Sequence, residues 1–129
     1  MPNRAGDWLT QARRDLELAR HAANGGFHEW ACFAAQQAAE KAVKALVAAL
    51  GGEARGHSIV AMAKLLPDPP GFPADVLDLA RQLDRHYIPT RYPNGFSDGA
   101  PKDYFTLSDA DEAVAHAERI LIHCAGHVS

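Results

Sequence analysis

The chain has 129 residues, 47% of them hydrophobic, and a formal net charge of −3, which fits one globular domain over residues 1–129 and argues against disorder of the whole chain. No apolar run approaches the roughly 20 residues of a membrane-spanning helix, and the first residues lack the apolar stretch of a secretion signal, so we expect no membrane association and a cytoplasmic location. The acidic balance gives no general attraction to nucleic acid, so binding to it needs a local basic patch.

The composition predicts an all-α protein. Alanine supplies 25 residues, whereas the β-branched residues Val, Ile and Thr together supply only 13. Alanine favours helices, and β-branched residues are enriched in strands. Periodic apolar positions then predict four main helices and one short helix.

The first two predicted helices are long. The first covers roughly residues 5–24, with an apolar stripe at spacings of three and four, and the glycine pair 25–26 ends it. The second runs from about 27 to 50 and ends at the glycine pair 51–52. Because alanines crowd a broad face of the second helix, we expect it to be central or to face a partner subunit. A polar strip on the same helix comprises Gln36, Gln37, Glu40, Lys41 and Lys44.

Two shorter helices follow. The third covers residues 58–66, with Ser58 as its N-cap, and Pro67 stops it. The proline-rich stretch 67–73 cannot be helical, because proline lacks a backbone N–H and has a fixed φ. The fourth helix spans about 74–86.

A long connection over residues 87–107 precedes the last helix. Its prolines and glycines exclude a regular helix, and its three tyrosines indicate that parts of it pack against the bundle. Ser108 and Asp111 fit a capping box that begins the last helix, and Gly126 ends it.

Several familiar chemical sites are absent from the sequence. It has no phosphate-binding loop, no dinucleotide-binding glycine motif and no H-E-x-x-H or C-x-x-C motif. Cys32 and Cys124 lie in apolar helical patterns, so we expect them to be buried small hydrophobic residues. His123 and His127 are one turn apart, but no carboxylate stands at a matching spacing, so we predict no metal site and no cofactor.

The most distinctive segment is residues 81–95. It contains Arg81, Arg85, His86, Tyr87, Arg91 and Tyr92. Arginine presents a planar fork that suits phosphate, and tyrosine offers a face on which a base can stack. Alternatively, the tyrosines hold the loop against the bundle while the arginines pair with Asp78, Asp84 or Asp98.

His57 stands between Gly56 and the third predicted helix. A histidine there can cap the helix locally, pack against the bundle, or supply a polar contact to a ligand. Nothing in the spacing of serine, histidine and acidic residues indicates a nucleophilic triad.

Five stretches of the sequence form a series that covers nearly the whole chain. They are residues 8–16, 29–46, 56–58, 83–94 and the start of the last helix at 109–110. The most specific are Ala-Gln-Gln-Ala-Ala-Glu-Lys in the second helix and Tyr-Ile-Pro-Thr-Arg-Tyr-Pro after the fourth. With these motifs the chain resembles the HEPN domain proteins, a helical family named for prokaryotic and higher-eukaryotic nucleotide binding.

This resemblance implies an up-and-down helical bundle that forms homodimers. It also implies a genetic neighbour, a minimal nucleotidyltransferase, with which such proteins form two-component toxin–antitoxin modules. Many members are metal-independent ribonucleases whose Arg-x(4–6)-His motif contacts the scissile phosphate and assists attack by the RNA 2′-hydroxyl.

The chain departs from that motif at its most recognisable arginine. No histidine follows Arg91 at the required distance, since residues 96–98 are Phe, Ser and Asp. Arg81 with His86 and Arg14 with His21 fit the bare spacing, and the first pair is the better candidate because it adjoins the distinctive segment.

Three functions remain open from the sequence. The first is a nucleotide- or RNA-phosphate-binding subunit that uses Arg91, Arg85 and Tyr92, with Tyr87 and His57 nearby. The second is a ribonuclease toxin that uses the Arg81–His86 pair. The third is a structural subunit whose alanine-rich second helix docks a partner. The missing histidine after Arg91 favours the first over the second.

Overall fold

Five α-helices account for most of residues 3–128, the part of the chain that this computed structural model describes, and no strand occurs among these residues. The helices are α1 (Ala5–Asn24), α2 (His28–Ala49), α3 (Ile59–Lys64), α4 (Ala74–Asp84) and α5 (Leu107–Ala125). The predicted all-α class, with four main helices and one short helix, is confirmed, although the short helix is confined to Ile59–Lys64 within the predicted range 58–66. In the described part of the chain, no helix is both long and apolar enough to cross a membrane.

The second helix is the centre of the bundle, as its composition predicts. It packs along α1 and α5 and also touches α3 and α4. Most of its buried residues are alanines, and these small side chains let the neighbouring helices approach closely. The larger core side chains include Leu46 of α2 itself and, from the helices around it, Ile59, Met62, Leu83 and Ile120.

Both cysteines lie in this core, which confirms their predicted role. Cys32 and Cys124 are free thiols with no exposed surface. Burial raises the pKa of each thiol to about 12. They therefore stay protonated at neutral pH and act as small core residues.

The α1–α2 connection ends the first helix where the sequence indicates. Gly26 has φ +85°, a left-handed conformation that glycine adopts without steric cost. The backbone N–H of Phe27 then donates to the carbonyl of Ala22 at 2.9 Å. This tight turn sends α2 back along α1.

The fourth helix ends at Asp84, two residues before the predicted end at His86. The chain continues in tight turns, and the N–H of His86 donates to the carbonyl of Leu83, three residues back, at 2.9 Å. The N–H of Tyr87 likewise donates to the carbonyl of Asp84, three residues back, at 3.4 Å, so bonds of the tighter 3-10 type replace the α-helical ladder and end the helix.

The predicted capping box of the last helix is wrong by two residues. Thr106 is the N-cap: its hydroxyl accepts from the N–H of Asp109 at 3.2 Å, and the Asp109 carboxylate accepts from the N–H of Thr106 at 2.9 Å. The same pattern of residues occurs at Ser108 and Asp111. The cap at Thr106 is favoured over one at Ser108 because it lengthens α5 by two residues and adds their backbone hydrogen bonds.

The long connection between α4 and α5 is packed, as its tyrosines predict. It holds two short 3-10 helices, Pro93–Gly95 and Pro101–Asp103. The Tyr104 ring stacks on Phe96 with 4.1 Å between ring centres, and its hydroxyl donates to the carbonyl of Asp98.

One carboxylate ties the short third helix to the end of the fourth. Asp84 accepts hydrogen bonds from the hydroxyl of Ser58 at 3.0 Å and from the backbone N–H groups of Ile59 and Val60 at 2.8 and 3.1 Å. Ser58 is the N-cap of α3, as predicted, since its hydroxyl accepts from the N–H of Ala61 at 3.0 Å. Asp84 therefore fixes the loop before α3 next to the turns that follow α4.

We expect Asp84→Ala to lower the free energy of unfolding by about 1–3 kcal/mol, because the N–H groups of Ile59 and Val60 at the start of α3 lose the carboxylate that accepts their hydrogen bonds. Thermal unfolding followed by circular dichroism measures this as a fall in Tm. Asp78→Ala on the same helix is the control, since its ion pair with Arg81 is exposed to solvent and contributes little. Equal melting of the two variants would contradict this role for Asp84.

Candidate functional site

The turns after α4 bring Arg91 against the second helix. The Thr90 side chain is buried, and its hydroxyl donates to the carbonyl of His86 at 2.6 Å. The N–H of Arg91 donates to the carbonyl of Ile88 at 3.1 Å. These bonds fold the segment back on itself, so that the half-buried Arg91 side chain reaches Phe33 of α2.

Backbone and aromatic rings hold the Arg91 guanidinium in place. Its Nε and one terminal nitrogen donate to the carbonyl of Tyr87 at 2.9 and 2.7 Å. Its Cζ lies 4.3 Å from the ring centre of Phe33, 4.6 Å from that of Tyr87 and 5.0 Å from that of Tyr92. We call Phe33, Tyr87, Arg91 and Tyr92 the Arg91 cluster.

This arrangement differs from the interpretation in which Arg91 pairs with an aspartate. No carboxylate of residues 3–128 forms an ion pair with Arg91, so it is not the clamp of an acidic partner. It is also less exposed than a free surface arginine. A guanidinium has five N–H donors, and Tyr87 engages two of them, which leaves three available to an anion.

His57 lies on the same tyrosine. Gly56 before it has φ +84°, a backbone conformation that suits glycine. The His57 imidazole stacks on Tyr87 with 4.4 Å between ring centres and 18° between planes. Its Nδ1 lies 3.1 Å from Oε1 of Glu40, and its backbone carbonyl accepts from Gln36 at 3.1 Å.

Glu40 is a buried carboxylate on α2, with a side chain only 4% exposed. It also accepts from the amides of Gln36 and Gln37 at 3.3 and 3.4 Å and from the ammonium of Lys44 at 3.3 Å. The sequence pattern predicts a polar strip that contains these residues, and it singles out neither Glu40 nor Phe33 for the candidate site. The position of Glu40 within the polar strip, next to an alanine-rich face, is the sequence signal for it; the sequence carries no comparable signal for Phe33.

The structure does not bring Arg81 and His86 into contact. Arg81 pairs with Asp78 at the surface, as the alternative interpretation of the arginines proposes. His86 packs edge-on against Phe105, with 5.7 Å between ring centres. Arg85 and His86 line a shallow depression between α4 and α5, and no residue of the Arg91 cluster lines it.

A second surface feature adjoins the Arg91 cluster. An apolar groove runs between α1 and α2, where Leu18 is 57% and Trp30 is 50% exposed. At its edge the ammonium of Lys41 pairs with Asp15 at 2.6 Å. Phe33 lines the groove and also contacts the Arg91 guanidinium, so the two features share a side chain.

Comparison with known families identifies the fold. The sequence pattern of the HEPN domain matches residues 5–126. The chain belongs to the HEPN domain family. The resemblance in the sequence motifs is thereby confirmed, and the bundle described above is a HEPN fold. A search of curated proteins gave no match.

Three solved structures are similar to this chain over nearly its full length. TT1696 from Thermus thermophilus is 44% identical, with a TM-score of 0.95 over 98% of this chain and 99% of that one. ST0689, an archaeal HEPN homologue, is 48% identical, with a TM-score of 0.83 and 100% coverage of both chains. A HEPN domain protein from Thermotoga maritima is 33% identical, with a TM-score of 0.74 over 93% of this chain and 95% of that one.

The stability of this HEPN domain should depend on pH through His86, which lines the depression between α4 and α5. Burial lowers the pKa of His86 below its ordinary value of 6.5, so the fold favours the neutral imidazole. Below about pH 6.5 the unfolded chain takes up a proton that the folded chain resists. Stability contributed by the neutral form is therefore full above this pH and is lost as the pH falls.

We expect His86→Gln to reduce the loss of Tm between about pH 7.5 and pH 5 relative to the unsubstituted protein, because glutamine does not titrate. Melting curves at several pH values measure the slope. The matched control is His127→Gln, which changes an exposed histidine near the end of the chain. A His86→Gln variant with the original slope would show that His86 titrates alike in both states.

Proposed function

We propose that this HEPN domain binds a nucleotide, or the phosphates of RNA, through Arg91, with Tyr92 and Tyr87 beside it. The observation that carries the proposal is a half-buried guanidinium that backbone and rings orient and that no carboxylate of the described residues neutralises. Charge-assisted bonds from arginine to phosphate are among the stronger hydrogen bonds in proteins. An arginine already fixed in position loses little conformational entropy on binding.

The other arginines lack this combination. Six of the nine pair with carboxylates: Arg4 with Asp7, Arg14 with Glu17, Arg20 with Glu118, Arg55 with Glu53, Arg81 with Asp78 and Arg119 with Asp75. Arg13 and Arg85 are exposed, and neither has a ring contact or an ion pair within residues 3–128. Arg91 is thus the positioned cation on a surface whose net charge is negative.

The aromatic part of the cluster suits a base next to that phosphate. Tyr92 contacts the guanidinium yet remains exposed. Stacking of a base on an aromatic side chain contributes about 1–3 kcal/mol and tolerates any base. The proposed ligand is therefore a nucleotide or single-stranded RNA rather than inorganic phosphate alone.

We expect Arg91→Ala to weaken the binding of a uridine tetranucleotide about 10- to 150-fold, since it removes hydrogen bonds from a charged donor. Isothermal titration calorimetry measures the Kd. Arg13→Ala is the matched control, because it removes the same charge from an exposed arginine on α1.

The melting temperature of each variant separates binding from folding. Arg91→Ala also loses its ring contacts and two hydrogen bonds, so some loss of Tm is expected. If the folded variant bound the tetranucleotide as tightly as the unsubstituted protein, Arg91 would serve the fold alone, and the proposed function would be wrong.

We also propose that the chain forms a homodimer through the groove between α1 and α2. Leu18 and Trp30 each expose half or more of their surface there, next to the shared ring of Phe33. Contiguous exposed apolar side chains with a polar edge are typical of protein–protein contact sites. The proposal keeps one part of the structural-subunit hypothesis, namely that the second helix contacts a partner chain, and it is compatible with ligand binding by Arg91.

We expect Leu18→Glu to convert the dimer to a monomer, because it buries a charge in an apolar interface. Sedimentation velocity at micromolar concentration measures the change. Leu65→Glu is the control, since Leu65 is 71% exposed and lies outside the groove. Dimers that persist in Leu18→Glu would place the interface elsewhere, and a monomeric unsubstituted protein would end the proposal.

Membership of the HEPN family supports a further part of the proposal, that the partner in the cell is a minimal nucleotidyltransferase in a toxin–antitoxin module. A neighbouring reading frame with a G-S-x-x-x-G and D-x-D pattern, together with copurification of the two proteins, would test it.

The ribonuclease alternative gains no support from Arg81 and His86, because no contact joins them. Metal-independent cleavage of RNA by the purified protein would restore it.

A further inference from the structure

Two cations lie at the apolar groove between α1 and α2, and only one of them has a carboxylate partner. The ammonium of Lys41 pairs with Asp15 at 2.6 Å, and both side chains are mostly buried. The second cation is the guanidinium of Arg91, whose Cζ lies 4.3 Å from the ring centre of Phe33. No carboxylate of residues 3–128 pairs with it. Because Phe33 lines the groove, a single aromatic ring joins the groove to an uncompensated positive charge.

Assembly through the groove removes water from the surroundings of Arg91. Trp30 is half exposed and packs edge-on against Phe33, with 6.2 Å between ring centres, and both rings line the groove. A charge loses hydration when the water near it is displaced, unless an opposite charge compensates for the loss. The rings and the carbonyl of Tyr87 hold the Arg91 cation without neutralising it. The loss of hydration therefore opposes assembly, and a bound anion supplies the missing negative charge.

The charges around the groove favour a second copy of this chain as its occupant. Lys41 pairs with Asp15 in the groove, and on the α1 surface beside Leu18 the guanidinium of Arg14 pairs with Glu17 at 3.3 Å. These side chains neutralise one another in pairs, although the chain has a net charge of −3. Two such surfaces meet without like-charge repulsion, whereas a strongly charged partner finds no excess of opposite charge there.

We infer that the uncompensated charge of Arg91 weakens the dimer that forms through the groove, and that an anion bound to Arg91 strengthens it. The ligand thereby regulates assembly. The inference rests on both parts of the proposed function, the homodimer and phosphate binding by Arg91. Because a coupling between two sites is reciprocal, the dimer also binds the anion more tightly than the monomer does.

Two substitutions of Arg91 test the effect of the charge. Arg91→Met and Arg91→Lys both remove the guanidinium, and only Arg91→Lys keeps a positive charge. We expect the dimer dissociation constant of Arg91→Met to be at least about 5-fold lower than that of Arg91→Lys. Sedimentation equilibrium in about 0.15 M salt measures both constants, since this salt screens charges more than about 8 Å apart. Melting curves show whether the two variants are equally folded.

Arg13→Met is the matched control. It removes the same charge from an exposed arginine on α1 that does not line the groove. Its dimer should have the dissociation constant of the unsubstituted protein. If Arg13→Met strengthened the dimer as much as Arg91→Met does, the net charge of the chain would be the cause, and the inference would be wrong.

A ligand tests the same coupling without any substitution. A saturating concentration of the uridine tetranucleotide should lower the dimer dissociation constant of the unsubstituted protein at least about 5-fold. In Arg91→Met the tetranucleotide should leave the constant unchanged, because the group that binds the phosphate is absent.

The outcomes separate this inference from the proposals on which it rests. Equal dissociation constants for Arg91→Met and Arg91→Lys, or a tetranucleotide that binds without strengthening the dimer, would overturn the inference alone. A protein that stays monomeric with and without the tetranucleotide would overturn the dimer and the inference, and leave phosphate binding intact. Failure of the tetranucleotide to bind the unsubstituted protein would overturn phosphate binding and the inference, and leave the dimer intact.

Discussion

The burial of α2 on almost every side is the constraint on which the rest of the structure depends. A central helix has no water for its polar side chains, and a polar group left unpaired in the interior costs several kcal/mol. Glu40 therefore takes its partners from its own helix and from the loop before α3. The contact of His57 with the buried Glu40 thereby helps to hold the imidazole beside Tyr87.

Arg91 meets a related constraint in the opposite way. A carboxylate partner would neutralise its charge, and aromatic rings with a backbone carbonyl hold the cation without doing so. The fold thereby keeps a positive charge at a fixed place on a chain with net negative charge. These contacts to the backbone and to the rings fix the position of the Arg91 side chain and leave its charge free to bind an anion.

Periodicity and end signals in the sequence predicted the helices well, because these depend on neighbouring residues. Ser58 as a cap and the glycines after α1 are confirmed for this reason. The start of α5 was missed because two local patterns compete there. Of the candidate site, the sequence brings together Arg91, Tyr87 and Tyr92, which are close in sequence and in space, whereas Phe33 and Glu40 join them only through tertiary packing. Arg85 shows the converse, since it is close to Tyr87 in sequence but lines the depression between α4 and α5.

The alanine surface of α2 also decides how this protein can vary. Ala35, Ala38 and Ala42 have no exposed surface, so a larger residue at any of them displaces α1 or α5. Truncation damages a core at its large side chains, but at these three positions little remains to remove. Substitution at Ala35, Ala38 and Ala42 is therefore confined to side chains no larger than a methyl group.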